Sequence, residues 1–245
     1  MRRKLSENHK RVRDRIAHAC QRVNRRPEDV LLVAVTKTVE SDVIRTAVEM
    51  GMEDLGENRV QELIKRAGML NEHLTRRRKL DSDAAPAEPR WHMIGHLQRN
   101  KVRPLLPWAH TIHSLDSLRL AEEISAEATR IGRTCPVLIE VNVAGEKSKF
   151  GIAVGAVSHL AEHIIELPGI RVVGLMTMAP LDEAPEASRP HFARLREVFE
   201  DVKSERIVGP EFRELSMGMS GDFEIAIEEG ATMIRVGRAL FEGVV

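Results

Sequence analysis

From Val30 onward the chain alternates short apolar runs with longer amphipathic segments. VLLVAVTK (30–37) has the length and β-branched content of a buried strand, followed by the amphipathic helix DVIRTAVEMG (42–51). Ser41 is placed to cap that helix and Gly51 to close it. The alternation continues with the strand MEDLGEN (52–58), the helix RVQELIKRAGML (59–70), the strand HMIG (92–95) and the segment QRNKVRPLL. TIHSL, a helix over 116 to about 131, PVLIEVNV and a helix around 154–167 follow. The last units are VVGLMTM, a helix over about 186–203, ELSMG, a helix over 222–229, TMIRVG and a helical turn at ALFEG.

About eight strand-then-helix units predict a single (β/α)8 barrel, a TIM barrel, spanning residues 1–245 as one domain. An open doubly wound sheet uses fewer strands and often carries a Gly-rich dinucleotide turn after the first, and no GxGxxG occurs here. Ahead of the barrel, Leu5, Val12, Ile16, Ala19 and Val23 fall at helical spacing and predict an additional N-terminal helix with a basic outer face. Glu7 and Asp14 within that helix argue against an organelle transit peptide. The segment RRRKLDSDAAPAEPR (76–90) breaks the rhythm and reads as a mobile surface insertion.

Composition adds limits. With 37 basic and 37 acidic side chains there is no broad field for nucleic acid or anionic membrane, and no run approaches the ~20 apolar residues of a membrane span. Cys20 and Cys135 stand in no ligand spacing and read as two thiols of a reducing compartment, so the expected location is cytoplasmic. Aromatic content is 3%, with no tyrosine at all, which points to an aliphatic core. No apolar stripe beyond those needed for the core stands out, and monomer is the default.

In such barrels the chemistry sits at the C-terminal strand ends. Lys37 closes the first strand after a run of apolar or small residues, where desolvation would free its amine as a nucleophile for a carbonyl. A lysine snorkelling into water is the plain alternative. The seventh and eighth strands end in the glycine-containing turns SMGMSGD and RVGR, positions where these barrels hold phosphate. Backbone N–H groups, the Ser220 hydroxyl and the Arg238 guanidinium would converge there on a dianion. Taken singly, Ser220 could be a helix N-cap and Gly237 a turn residue. A lysine facing a phosphate cradle suits a phosphorylated aldehyde, of which pyridoxal 5′-phosphate is the common one.

LLVAVTKTV, DLGENRVQE, WHMIGHLQRNK, GLMTM and LSMGMSGDFEIAIEEGATMIRVGRALF together resemble the pyridoxal-phosphate homeostasis proteins. The resemblance runs from about residue 5 to the C-terminus. It implies a barrel like the N-terminal domain of alanine racemase, with pyridoxal 5′-phosphate held as a Schiff base on Lys37. It further implies Ser220 and the backbone around Gly237 and Arg238 at the phosphate, and Arg235 facing the pyridine nitrogen. Asn58, His96, Met176, Met217 and Gly218 would line the ring pocket. Two positions depart from the pattern: Arg238 stands where the family commonly has Ser or Thr, and Arg59 where many relatives have an aromatic residue.

An arginine opposite the ring nitrogen disfavours its protonation and weakens the ring as an electron sink. Racemases on this barrel resemble one another in using a tyrosine from a second domain; this chain has no tyrosine, and its pattern is expected to form the barrel alone. The resemblance thus implies a non-catalytic protein of intracellular vitamin B6 homeostasis, buffering the cofactor or delivering it to apo forms of dependent enzymes, with little or no amino-acid turnover. The alternative is a racemase or lyase using His96 with Lys37, or Glu57 in place of His96. A metal-dependent hydrolase would need more than the pairs His92/His96 and His110/His113, which form no HxH motif. The Gly218–Asp222 turn lacks the second glycine of a serine nucleophile elbow.

Overall fold

The computed structural model describes residues 1–80, 86–146, 150–180 and 184–244. The apolar runs form parallel strands: β1 (Leu31–Val35), β2 (Asp54–Glu57), β3 (Arg90–Met93), β4 (Ala109–Leu115), β5 (Cys135–Asn142), β7 (Ile170–Met176), β8 (Glu214–Ser216) and β9 (Met233–Val236). Each pairs with the next, β5 pairs with β7, and β9 returns to β1 with Val33 opposite Arg235, so the eight strands close into a barrel. A two-residue strand, β6 (Ile152–Ala153), adds to the end of β5 outside the ring. The expected (β/α)8 architecture is therefore present. Parallel neighbours need crossovers, and the amphipathic segments supply them as helices that bury one apolar stripe against the barrel.

The crossover helices are α2 (Ser41–Glu49), α3 (Val60–Leu80), α4 (Val102–Leu105), α5 (Leu118–Arg130), α6 (Val157–Ile165), α7 (Arg189–Ser204) and α8 (Phe223–Glu228), with α9 (Arg238–Phe241) after the last strand. The N-terminal helix α1 (Arg2–Arg22) buries Leu5, Val12, Ile16 and Ala19 as the spacing predicts, while Val23 lies just past its end. Asn8 is buried in the same face and donates from Nδ2 to the carbonyls of Leu240 (3.0 Å) and Glu242 (2.9 Å), tying α1 to the end of α9. Arg25 donates to the carbonyls of Ile227 and Ala231, both at 2.8 Å, and closes the α8 end. Both cysteines are buried and free.

The segment 76–90 differs from its expected form. Helix α3 runs on through Leu80, so the basic run 76–79 is its last turn, with Arg76 bonded to Glu72 and Arg77 to Glu49. Arginine and lysine are good helix formers, and cations suit a helix C-terminus. β3 already begins at Arg90. Residues 81–85, the middle of the expected insertion, lie outside the described residues. No helix among the described residues is long and apolar enough to cross a membrane.

Candidate functional site

Strand β1 stops at Val35, two residues before Lys37. Thr36 stays buried because its N–H bonds the Gly56 carbonyl at 3.0 Å and its hydroxyl donates to Glu57. The chain then turns, and Lys37 is exposed. The expected desolvation of the Lys37 amine is thus absent: the residue lies on the turn beyond the strand, where its stem reaches water. Its position at the C-terminal mouth is as expected.

Around that mouth the strand ends bring several expected residues together. β2 ends beside Asn58 and β3 leads through Gly95 to His96; a Cβ on Gly95 would stand 2.3 Å from the Asn58 carbonyl oxygen, so only glycine fits there. Gly218 has φ +90°, and a Cβ there would lie 2.5 Å from that of Ala226. The Gly218 carbonyl accepts the Arg235 N–H at 3.0 Å, and the Ala239 N–H bonds Ser220 Oγ at 3.2 Å. The two turns read as a phosphate cradle therefore touch, and Ser220 points across to the Gly237–Ala239 turn rather than capping α8. Arg238 and Asn58 are exposed, whereas Met176 and Met217 are fully buried. Met176 packs with Leu138 and Val173 in a cluster separate from the main apolar core.

Arg235 is the unusual group. It is 3% exposed, on β9, with Nη1 donating to Ser216 Oγ (2.6 Å) and Nη2 to the Thr177 carbonyl (2.9 Å). Among the described residues no carboxylate lies within ion-pair distance of it. Burial pulls its pKa down to about 10 against the more distant pull of Asp222 and Glu140. A buried cation held by neutral oxygens alone is poorly compensated and suits an electron-rich acceptor in the mouth. An unprotonated pyridine nitrogen is one, so the donor set fits the expected cofactor.

Below Arg235 the barrel interior is polar. Ser216 Oγ lies 2.9 Å from His113 Nδ1, His113 Nε2 lies 2.9 Å from His92 Nδ1, and His92 Nε2 lies 3.0 Å from Asp54 Oδ1. Asp54 also receives both arms of Arg90, at 2.7 and 2.6 Å. Sequence reading missed this line of groups as a unit. Its members are polar residues of four short strands, Asp54 of β2, His92 of β3, His113 of β4 and Ser216 of β8, each of which carries other polar residues as well.

The candidate acid/base residues are otherwise engaged. His96 Nδ1 stands 3.3 Å from Asp116 Oδ2 while its ring stacks on Phe150 with centroids 3.9 Å apart. Glu57 is fully buried, bonded by Thr36 and Arg66. Burial raises its pKa, with Thr36 and Arg66 opposing. The histidine pairs are split, since His92 bonds His113 while His96 faces Asp116. Among the described residues no three His, Cys, Asp or Glu side chains are placed to hold a metal ion.

The alanine racemase N-terminal domain model matches residues 12–243. The pyridoxal phosphate homeostasis protein of Aquifex aeolicus is 43% identical over 231 residues, covering 94% of each chain. The chain belongs to the pyridoxal phosphate homeostasis protein family. Among solved structures, one of an unknown protein from Bifidobacterium adolescentis superposes with a TM-score of 0.88 at 39% identity, covering 98% of this chain and 95% of that one. PipY of Synechococcus elongatus, in a structure with pyridoxal phosphate bound, gives 0.76 at 31% identity, covering 92% of this chain and 99% of that one. The Aquifex relative is named for homeostasis rather than for a reaction.

Proposed function

We propose that this protein binds pyridoxal 5′-phosphate at the C-terminal mouth of its barrel, as a Schiff base on Lys37, and serves cytoplasmic vitamin B6 homeostasis. The observation that carries the reading is Arg235, a buried guanidinium with only neutral oxygen partners among the described residues, aimed by Ser216 and Thr177. Its remaining donors suit the ring nitrogen. Ser220 with the Gly237–Ala239 turn suits the phosphate, and Arg238, exposed on that turn, supplies the cation where the family commonly has a hydroxyl. Asn58, His96, Met176, Met217 and Gly218 bound the ring. PipY, a relative at 31% identity, has been seen with this cofactor, which supports the assignment.

Turnover of amino acids is little or none. A cationic Arg235 keeps the ring nitrogen unprotonated and the ring a weak electron sink. The chain has no tyrosine for the proton transfer, and His96 is tied to Asp116. The cofactor is then buffered or passed on to apo-enzymes by a monomeric single-domain carrier.

The deciding experiment is the colour of the purified protein with added cofactor. A visible absorption band, fixed as added mass on Lys37 by borohydride, is expected. A protein that takes up no cofactor overturns the reading, and product from any of a panel of L-amino acids well above the free-cofactor rate overturns the non-catalytic part of it. Transfer to an apo-enzyme faster than dilution alone separates delivery from buffering.

A further inference from the structure

The polar line through the barrel has two ends whose chemistry is fixed. Arg235 is a guanidinium and can only donate; Asp54, ionised, can only accept. Burial by itself would raise the Asp54 pKa, but the bonds from Arg90 and His92 outweigh it and bring it down to about 2. Every hydrogen between the ends can therefore be assigned. Arg235 Nη1–H donates to Ser216 Oγ, and His92 Nε2–H donates to Asp54 Oδ1. A neutral His92 then has only an acceptor at Nδ1, so the hydrogen in its contact with His113 belongs to His113 Nε2. That leaves His113 Nδ1 to accept the Ser216 hydroxyl hydrogen. Burial above all, with the cationic Arg235 acting the same way, holds the His113 pKa well below the usual imidazole range, in keeping with a neutral ring. A doubly protonated His92 would turn both inner bonds round, set two donors on Ser216 Oγ and put a second buried cation in the interior that already holds Arg235.

We propose that Asp54, His92, His113 and Ser216 form a one-way hydrogen-bond chain through the barrel core that positions the Arg235 guanidinium for the cofactor. The inference rests on the reading that Arg235 meets the cofactor ring. The chain joins two ends of the barrel: Asp54 and Arg90 line a cavity of about 570 Å³ that also touches His9, Arg13 and Glu53, whereas Arg235 lies near the end of β9, two residues before Gly237. It is not a path for proton exchange, because reversing it needs a neutral arginine at one end and a protonated Asp54 at the other. It is a fixed row of dipoles. Its effect is to hold Ser216 Oγ with a lone pair toward Arg235, so that one arm of the guanidinium is spent and the rest is aimed. The four are positioning residues, and none needs to touch the cofactor.

Two measurements test this. In histidine-labelled protein without cofactor, ¹⁵N NMR at neutral pH is expected to show His92 and His113 as neutral Nε2–H tautomers, assigned with His92→Gln and His113→Gln. A His113 carrying its hydrogen on Nδ1 overturns the chain. In protein loaded with pyridoxal 5′-phosphate, His113→Leu is expected to move the visible band and speed cofactor release ~10-fold, about 1.4 kcal/mol of lost hold. His113→Gln offers an acceptor oxygen and a donor nitrogen on one carbon, and is expected to keep band and release near wild type. A folded His113→Leu with the wild-type band and release overturns the positioning role. Should that variant not fold, Ser216→Ala removes a single oxygen and is expected to move the band alike; an unmoved band overturns the proposal. If the wild-type protein forms no band at all, the cofactor reading fails, while the tautomers still decide the chain.

Discussion

Gly95 passes so close to Asn58 that a Cβ on it would stand 2.3 Å from the Asn58 carbonyl oxygen and 2.8 Å from its Cα. Both obstructing atoms are backbone, which cannot swing aside as a flexible side chain would. The contact fixes where the end of β3 runs beside the end of β2, and so where His96 stands relative to Asn58. Gly95→Ala must push the two strand ends apart, and overpacking of this kind costs ~1–3 kcal/mol. Denaturant unfolding should show that loss together with weaker cofactor retention. Unchanged stability would mean that the strand ends are free to spread.

Lys37→Ala separates function from stability. Lys37 is exposed and, among the described residues, makes no hydrogen bond or ion pair, so its removal should change stability by no more than ~0.5 kcal/mol. The same change should abolish the visible band, leaving weaker binding through the phosphate. Arg235→Ala should do the reverse: it leaves Lys37 in place and moves the band more than the occupancy, while stripping Thr177 and Ser216 of their buried donor. Titrating both variants with pyridoxal 5′-phosphate and following the band and the bound fraction checks the contrast.

Asn8 is the buried polar residue on the apolar stripe of α1, and its amide carries two hydrogen bonds to the end of α9. Asn8→Ala leaves the Leu240 and Glu242 carbonyls short of a donor, one of them at a buried position. A loss of ~1–3 kcal/mol is expected from the unsatisfied acceptors, read as a lower denaturation midpoint with unchanged m-value. Because α1 lies away from Lys37, the visible band of the loaded variant should not move.

The barrel was legible because strands such as β1 and β7 are nearly continuous apolar runs and its helices carry one stripe, and these two patterns differ enough to be told apart. Strand ends were less so. Lys37 looked like the last residue of a desolvated strand, yet the bond of Thr36 to Glu57 and the turn that follows carry it into water, and that bond reaches a residue 21 positions on from Thr36. The basic run 76–79 read as loop from its charge, although its residues have good helix propensity and simply extend α3. His92, His113 and Arg235 lie on three different strands, β3, β4 and β9. That they form one line follows only from β2, β3, β4, β8 and β9 curving round a common axis.

Glu140 gives the fold a pH dependence of its own. It sits on β5, 3% exposed, next to neither a lysine nor an arginine close enough for an ion pair among the described residues. Burial, then the neighbouring Asp116, raise its pKa from 4.5 to about 7 against the pull of Arg235. The folded protein therefore binds this proton more tightly than the unfolded chain does. Its contribution is complete below pH 4.5 and is lost as pH rises through about 7, where folding must bury the ionised carboxylate. At ~1.4 kcal/mol per pKa unit, the loss is roughly 3–4 kcal/mol. Glu140→Gln removes the titration, so its stability should fall less than that of the wild type between those pH values. Unfolding free energies at a series of pH values check this; parallel curves for the two proteins would show that Glu140 ionises as it does in water.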